Sequence, residues 1–251
     1  MNNILSAEYL PTLEGFVSHD VLLAFDFDGT LAPIVSDPDC AELRRSTRQI
    51  LKKLTSLYPC VIVSGRSRSD VRRRIRGIPF RQIIGNHGIE PWDSSQSIAR
   101  KVRAWSSLFG TRLKPFPGAF LEDKGFSLSI HYRKANRKRE LIKAIQSVAG
   151  RLRGARLLAG KQVINILPVG LADKGLALKR ETKRRRCERV IYVGDDKTDE
   201  SVFALARHEP LLTIRVGAKR SSLAQFYIPS QREMDRLLRL LISLRAPRSG
   251  P

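Results

Sequence analysis

The chain has 251 residues, of which 42% are hydrophobic and 28% are charged. This balance argues against an intrinsically disordered polymer, and no run approaches the roughly 20 apolar residues of a membrane span. The 46 Lys and Arg residues outnumber the 24 Asp and Glu residues and give a net charge of +22, so attraction to anions is the first hypothesis about partners.

The first hundred residues alternate between predicted strands and helices. The apolar runs Val21–Phe25 and Cys60–Val63 are typical of strands that are buried on both faces. Helices are predicted over residues 40–57 and 69–76, and a weaker strand over residues 81–84. This alternation predicts an α/β domain.

The middle of the chain has a different pattern. A helix is predicted over residues 97–110 and another over residues 136–150, and each is followed by two strands. The four strands are predicted over residues 119–122, 126–132, 156–159 and 163–167, with Gly160-Lys161 as a hairpin signal. This αββαββ order predicts an independent α+β unit.

After Pro168 the α/β pattern returns, with helices and strands predicted over residues 173–184, 190–193, 199–206, 213–216 and 231–244. The last helix is amphipathic, and we expect it to pack on the core rather than on a membrane. A loose tail is predicted from Ala246 to Pro251.

The predicted fold class is therefore α/β, with a Rossmann-like parallel-sheet core and an inserted α+β cap. Residues 1–93 and 171–251 form the predicted core, and residues 94–170 form the predicted cap.

Two predicted strands end in carboxylate clusters, Asp26-Phe27-Asp28-Gly29 and Gly194-Asp195-Asp196. Ligands bind at the carboxyl ends of parallel strands, so adjacent strands would bring these clusters together. Carboxylates at close quarters need a cation, and hard oxygen ligands suit Mg²⁺. Taken singly, Asp28-Gly29 also fits a hairpin turn, and Asp195-Asp196 also fits a helix N-cap.

Further residues add positive charge and hydrogen-bond donors for a phosphate group. Ser64-Gly65 ends a third strand, where a hydroxyl and backbone amides can bind an anion. Lys174 could neutralise a transferring phosphoryl group, although a lone lysine at a helix start is usually solvated. The chain contains neither a dinucleotide-binding glycine pattern nor a P-loop.

The cysteines and histidines match no metal pattern. Cys40, Cys60 and Cys187 are far apart and fit neither a C-x-x-C motif nor a zinc site. The start of the sequence lacks a basic, apolar leader. A cytoplasmic, reducing location is therefore expected.

Basic runs occur at Arg72 to Arg74, Arg137 to Arg139 and Lys183 to Arg186. They lie in predicted helices and lack interleaved aromatic residues for base stacking, so solvated helix faces are favoured over a nucleic-acid surface. A nucleic-acid-binding protein with vestigial carboxylates stays open as an alternative function.

Four motifs in order resemble those of the haloacid dehalogenase superfamily: Asp26-Phe27-Asp28-Gly29-Thr30, Ser64-Gly65-Arg66, Lys174-Gly175 and Gly194-Asp195-Asp196. Within it, the chain is similar to the trehalose-6-phosphate phosphatases from about residue 20 to 230. The segments that support this narrower similarity are Leu31 to Ile34, Gly85 to Glu90, Glu122 to Gly125, His131 to Arg133 and Gly194 to Glu200.

The resemblance implies a set of roles in the core. Asp26 would be the nucleophile and a metal ligand, and Asp28 would be the acid/base and would ligate the metal through its backbone carbonyl. The other implied roles are Asp195 as third metal ligand, Asp196 and Asp199 as support for the metal, and Ser64 and Lys174 as holders of the phosphoryl oxygens. Gly65, Arg66, Asn86 and His87 are predicted to bind substrate, although a loop histidine such as His87 is as often structural.

The resemblance also implies a C2-type cap that recognises a sugar through Glu122 and Lys124, with His131 as a further candidate. The family pattern has a glutamate where this chain has Asn165, and an amide offers hydrogen bonds but no charge.

The leading hypothesis is Mg²⁺-dependent hydrolysis of trehalose 6-phosphate through a phosphoenzyme on Asp26. The alternatives are sucrose, glucosylglycerol or mannosylglycerate phosphates. The interpretation favours a monomer, without a membrane or nucleic-acid partner.

Overall fold

The computed structural model describes residues 1–245, and the predicted tail from Ala246 to Pro251 lies outside the described residues. The chain divides into two compact units. One contains Met1–Gly88 together with the described residues from Asp173 onward, and the other contains Ile89–Ala172.

Strands and helices alternate through most of the chain. In chain order they are β1 (Asn2–Asn3), α1 (Leu10–Val17), β2 (Val21–Phe25), α2 (Arg45–Leu57), β3 (Cys60–Val63), α3 (Arg68–Arg74), β4 (Gln82–Ile84), α4 (Gln96–Leu113), β5 (Phe120–Asp123), β6 (Leu128–His131), α5 (Lys138–Arg151), β7 (Ala155–Gly160), β8 (Val163–Pro168), α6 (Lys174–Arg185), β9 (Arg189–Gly194), α7 (Glu200–Phe203), β10 (Leu211–Val216), β11 (Phe226–Ile228) and α8 (Met234–Arg245).

The first unit is built on a seven-stranded sheet in the order β1-β11-β10-β9-β2-β3-β4. All neighbouring strands in this sheet are parallel. Strands β2 and β3 are buried along their whole length, which explains their continuous apolar runs. Strand β10 is also fully buried, although it contains Thr213 and Arg215. Chain order reverses between β2 and β9, and ligands bind at such a switch point in open α/β sheets.

Helix α8 packs against the first unit's core, as the sequence predicts. Leu237, Leu238 and Leu241 of this helix are fully buried in the main apolar cluster. The hydroxyl of Tyr58, which follows α2, donates a hydrogen bond of 2.7 Å to the carbonyl oxygen of Leu241. Within residues 1–245, no helix has the length and apolar character needed to cross a lipid bilayer.

The second unit has a four-stranded antiparallel sheet in the order β5-β6-β8-β7. Helices α4 and α5 contribute to its separate apolar cluster, in which Val102, Trp105 and Phe109 lie on one helix face. Ile130 and Ile164 supply the sheet side of that cluster. The predicted fold class, a parallel-sheet domain with an inserted α+β unit, is confirmed.

Some predicted boundaries differ from the structure. The helix predicted from residue 40 begins at Arg45, because Pro38–Cys40 forms a separate 3-10 turn capped by the side chain of Asp37. Helix α1 was not predicted, because it has only eight residues and two of them, Pro11 and Gly15, have low helix propensity. Strands β1 and β11 have only two and three residues, too few for a periodic signal.

Candidate active site

The carboxyl ends of β2, β3 and β9 lie side by side. Phe25 pairs with Ile62 of β3 and with Val193 of β9. The next residue, Asp26, donates its backbone N–H to the carbonyl oxygen of Val193 at 2.9 Å. The two carboxylate clusters therefore meet at the carboxyl end of the sheet. The hairpin interpretation of Asp28-Gly29 is wrong, because both neighbours of β2 are parallel to it.

A tight turn follows Asp26 and brings the backbone close to Asp195. Gly29 has a φ of 83°, and a Cβ atom added there would overlap the carboxylate of Asp195. Only glycine combines this left-handed conformation with so close an approach. The turn after β2 therefore lies directly against the carboxylate of Asp195, the residue that follows β9.

Lys174 connects the two clusters. This buried residue begins α6, and its Nζ donates hydrogen bonds of 2.8 Å to Oδ1 of Asp26 and of 2.8 Å to Oδ1 of Asp199. Asp199 also accepts the hydroxyl of Tyr192 at 2.7 Å. Its other oxygen, Oδ2, accepts the backbone N–H groups of Asp195 and Asp196 at 2.8 and 2.9 Å.

The pKa values follow from this arrangement. Burial raises the pKa of Asp26 well above its ordinary range, and Lys174 only partly offsets that effect. Burial also disfavours the charge on Asp199, but Lys174, Tyr192 and a backbone amide together leave its pKa lowered. Burial works against the ammonium of Lys174 as well, yet Asp199 and Asp26 raise its pKa overall. Asp199 is therefore the stable counter-ion of Lys174, and ionised Asp26 requires further positive charge.

The donor set around Asp26 fits a magnesium ion. Carboxylate oxygens of Asp26, Asp195 and Asp199 lie within 4.8 Å of one another. Hard carboxylate oxygens are the protein ligands that Mg²⁺ prefers. Because both oxygens of Asp199 already accept hydrogen bonds, this residue suits a supporting role, and Asp26 and Asp195 suit direct ligation.

The carboxylate of Asp28 is held by Arg66. Nε of Arg66 donates to Oδ2 of Asp28 at 2.6 Å, and an NH2 hydrogen is donated to Oδ1 at 2.8 Å. Sequence reasoning places Arg66 among the substrate-binding residues, and in the structure its guanidinium contacts a predicted catalytic carboxylate.

The remaining predicted phosphate-side residues lie beside β3 and β4. Ser64 is fully buried, and its Oγ accepts the backbone N–H of Arg66 at 3.2 Å. A Cβ at Gly65 would overlap the ring of His87, so these two residues are in close contact. Asn86 and His87 are buried and both have positive φ, in a turn whose backbone amides bond to Arg66 and Ser64.

Two residues that support the site were missed by sequence reasoning. The guanidinium of Arg215 donates to the backbone oxygens of Asp195 and Asp196 and to Glu200, and Tyr192 bonds Asp199. A charged residue in the buried strand β10 is the signal that could have identified Arg215, since buried charges are normally paired.

The predicted sugar-binding residues of the second unit lie on its strands, apart from Lys124, which directly follows β5. Oε2 of Glu122 is 2.8 Å from Nε2 of His131 and 3.7 Å from Nζ of Lys124. The ring of Phe120 stacks on His131 with centroids 4.5 Å apart. These side chains form one charged and aromatic cluster on β5 and β6.

Asn165 lies in the same cross-strand row, because Glu122 pairs with Ser129 and Ser129 pairs with Asn165. Oδ1 of Asn165 accepts the hydroxyl of Ser129 at 2.6 Å, and its Nδ2 donates to the carbonyl oxygen of Leu158 at 3.3 Å. The amide is therefore engaged within the sheet.

The sequence model of the trehalose-phosphatase family matches residues 24–232. The chain belongs to the trehalose-phosphatase family. The trehalose-phosphate phosphatase of Mycobacterium tuberculosis is 34% identical over 206 residues, which are 76% of this chain and 52% of that protein. Trehalose-phosphate phosphatase B of Arabidopsis thaliana is 29% identical over 211 residues, 74% of this chain and 56% of the relative. The chain thus spans about half the length of these relatives.

Two solved phosphatase structures have a similar fold. The C-terminal domain of the Candida albicans trehalose-6-phosphate phosphatase aligns with a TM-score of 0.77 at 22% identity, covering 93% of this chain and 96% of that domain. A haloalkanoate-superfamily phosphatase from Bacteroides thetaiotaomicron aligns with a TM-score of 0.60 at 17% identity, covering 90% and 95% of the two chains. At these identities the likeness concerns the fold, which is that of the haloacid dehalogenase superfamily.

Proposed function

We propose that this trehalose-phosphatase family member hydrolyses trehalose 6-phosphate to trehalose and phosphate, with Mg²⁺ and a phosphoenzyme on Asp26. The observation that supports this most is the site at the end of β2. There Lys174 bonds Asp26 at 2.8 Å, and Asp26 lies beside Asp195. A buried carboxylate with a fixed cation and a metal-ligand neighbour is suited to attack a phosphate dianion.

In the first step a carboxylate oxygen of Asp26 forms a bond to phosphorus while the bond from phosphorus to the sugar oxygen breaks. Protonated Asp28 donates its proton to that departing oxygen. Lys174 and the Ser64 hydroxyl hold the phosphoryl oxygens. When bound by Asp26, Asp195 and the Asp28 carbonyl oxygen, with Asp196 and Asp199 in support, Mg²⁺ would neutralise negative charge on the phosphoryl group.

In the second step water attacks the phosphorus of the phospho-aspartate and the bond to the Asp26 oxygen breaks. Asp28, now a carboxylate, accepts a proton from the water. Inorganic phosphate leaves, and both aspartates return to their starting states.

We assign the chemistry to the predicted core, residues 1–93 and 171–251, and selection of the sugar to the predicted cap, residues 94–170. Glu122, Lys124 and His131 would contact sugar hydroxyls through charge-assisted hydrogen bonds. The cytoplasm is the proposed location, because all three cysteines are free thiols.

Asn165 supports one alternative, the same chemistry on another sugar phosphate. Its amide lacks the charge of the family's glutamate and is bonded within the sheet. Phosphate release should be measured with Mg²⁺ on trehalose, sucrose, glucosylglycerol and mannosylglycerate phosphates. The highest kcat/KM on trehalose 6-phosphate would support the main proposal, and absence of turnover on every sugar phosphate would refute both.

A further inference from the structure

The Arg66 side chain is committed to protein contacts in the first unit. Arg66 is 8% exposed, and its guanidinium makes four hydrogen bonds. Two go to the two carboxylate oxygens of Asp28, one goes to Asp70 at 2.8 Å, and one goes to the carbonyl oxygen of Pro38 at 2.8 Å. Since a guanidinium has five N–H groups, little donor capacity is left for a substrate.

Arg66 is itself held in place by its surroundings. Asp70 receives Arg66 and also Arg74 at 2.9 Å, so it connects the two guanidinium groups. The Arg66 guanidinium also lies 5.8 Å from the ring centroid of Phe27. Because Asp70, the carbonyl oxygen of Pro38 and the ring of Phe27 hold the guanidinium in place, it can in turn restrict the movement of the carboxylate it binds.

We infer that Arg66 is a positioning residue that orients the Asp28 carboxylate for its acid/base role, rather than a residue that binds the substrate. The inference rests on the proposed function, because it assigns Arg66 a part in that reaction. The side chain of Asp28 is 39% exposed, and water alone would leave its carboxylate free to rotate. Two parallel hydrogen bonds from a planar fork fix both the position and the plane of the carboxylate.

Orientation matters here because proton transfer requires a heavy-atom distance of about 2.6–3.2 Å to the reacting oxygen. A carboxylate that rotates freely reaches this geometry only part of the time. A sugar alkoxide needs that proton to depart, whereas an activated aryl phosphate has a good leaving group. Loss of Arg66 should therefore slow the sugar phosphate more than the aryl phosphate.

A double-mutant cycle tests the inference. Arg66→Met, Asp28→Asn and the double variant should be assayed on trehalose 6-phosphate and on p-nitrophenyl phosphate. We expect Arg66→Met to lower kcat on trehalose 6-phosphate by about ten- to a hundredfold with little change in KM. On p-nitrophenyl phosphate the loss should be within about threefold, and Arg66→Met should add little in the Asp28→Asn background.

Arg74→Met is the matched control, because Arg74 is also buried and its guanidinium donates to Asp70 and to the carbonyl oxygens of Asp39 and Ala41 rather than to Asp28. Its kcat should stay near the wild-type value even if its melting temperature falls. Arg66→Lys keeps the charge and loses the fork, so it should retain KM and recover kcat only in part. It takes the place of Arg66→Met if the methionine variant does not fold.

Three outcomes would overturn the inference: the same fold loss from Arg66→Met in both backgrounds, a rise in KM with unchanged kcat, or full activity of the methionine variant. Each is distinguishable from failure of the proposed function, in which the wild-type protein itself releases no phosphate from sugar phosphates.

Discussion

Lys174 donates to Asp199 at 2.8 Å, although Lys174 begins α6 and Asp199 lies in a separate 3-10 turn, Lys197–Asp199, that follows β9. The pair is fully enclosed, with side-chain exposures of 2% and 0%. One lysine thereby neutralises Asp199 while it also contacts Asp26, the proposed nucleophile.

Replacement of Lys174 should damage both stability and activity. In Lys174→Met the buried carboxylates of Asp26 and Asp199 lose their shared cation, which should lower the free energy of unfolding by about 3–5 kcal/mol. Urea unfolding and phosphate release measure the two effects. Lys179→Met is the control, because Lys179 is half exposed on the same helix and its surface pair with Glu209 should contribute little. Equal stability of Lys174→Met and Lys179→Met would contradict the role of Lys174 as the shared cation of Asp26 and Asp199.

Asp26→Asn should abolish turnover and preserve the fold. An amide is a poor nucleophile, so phosphate release should fall to background. Because burial raises the pKa of Asp26, a neutral side chain is tolerated there, and the metal-free variant should be at least as stable as the wild type. Exposed Asp39 provides the control Asp39→Asn, with normal activity expected. Substantial turnover by Asp26→Asn would exclude the covalent route.

Magnesium should be required and should bind at Asp195. EDTA should stop phosphate release and Mg²⁺ should restore it. At about 100 times its Kd, the ion should add about 2.7 kcal/mol to the free energy of unfolding, visible as a rise in Tm. Asp195→Asn should lose most of that rise and Asp39→Asn should keep it. A metal-free protein with full activity would refute this prediction.

Asn165→Glu should reveal which sugar the second unit prefers. If the chain uses trehalose 6-phosphate, the added charge should raise kcat/KM on it by about tenfold, the effect of one charged hydrogen bond. Asn165→Gln has the same length without the charge and should bring no gain. If Asn165→Glu instead impairs the best substrate of the sugar-phosphate panel, the row of Glu122, Ser129 and Asn165 is shaped for a different sugar.

The three cysteine thiols should react with DTNB at different rates. Cys40 is exposed and should react with DTNB within seconds to minutes, whereas burial raises the pKa of the Cys60 thiol. The attacking species is the thiolate, so a raised pKa leaves less of it at pH 8. Burial also raises the pKa of Cys187, which should react slowly. Cys40→Ser should remove the fast phase, and a fast phase that persists would contradict the assignment.

The sequence predicted β2, β3 and β9 well because buried parallel strands have continuous apolar runs, as in Cys60–Val63. It also predicted that the acids after β2 and β9 would meet, since both follow such strands. The partner of each carboxylate could not be predicted in this way. Whether Arg66 bonds Asp28 or a substrate depends on side-chain geometry, which periodicity does not contain.

Short strands and buried polar contacts could not be predicted from the sequence either, because both depend on how distant strands pair. Strand β11 is specified by its pairing with β10 rather than by its own three residues. Similarly, the bond from Ser129 to Asn165 exists because β6 and β8 are in a register that no local pattern fixes.

The pairing of β2 with β9 has a consequence for synthesis of the chain. Leu22 lies opposite Val190, so the whole of Ile89–Ala172 leaves the ribosome before β2 can acquire this neighbour. That middle segment has its own apolar cluster and pairs its strands locally, so it can fold while the first unit is still incomplete. Asp26 meanwhile lacks both Lys174 and Asp195. The proposed active site after β2 is therefore incomplete until Asp195 has been synthesised.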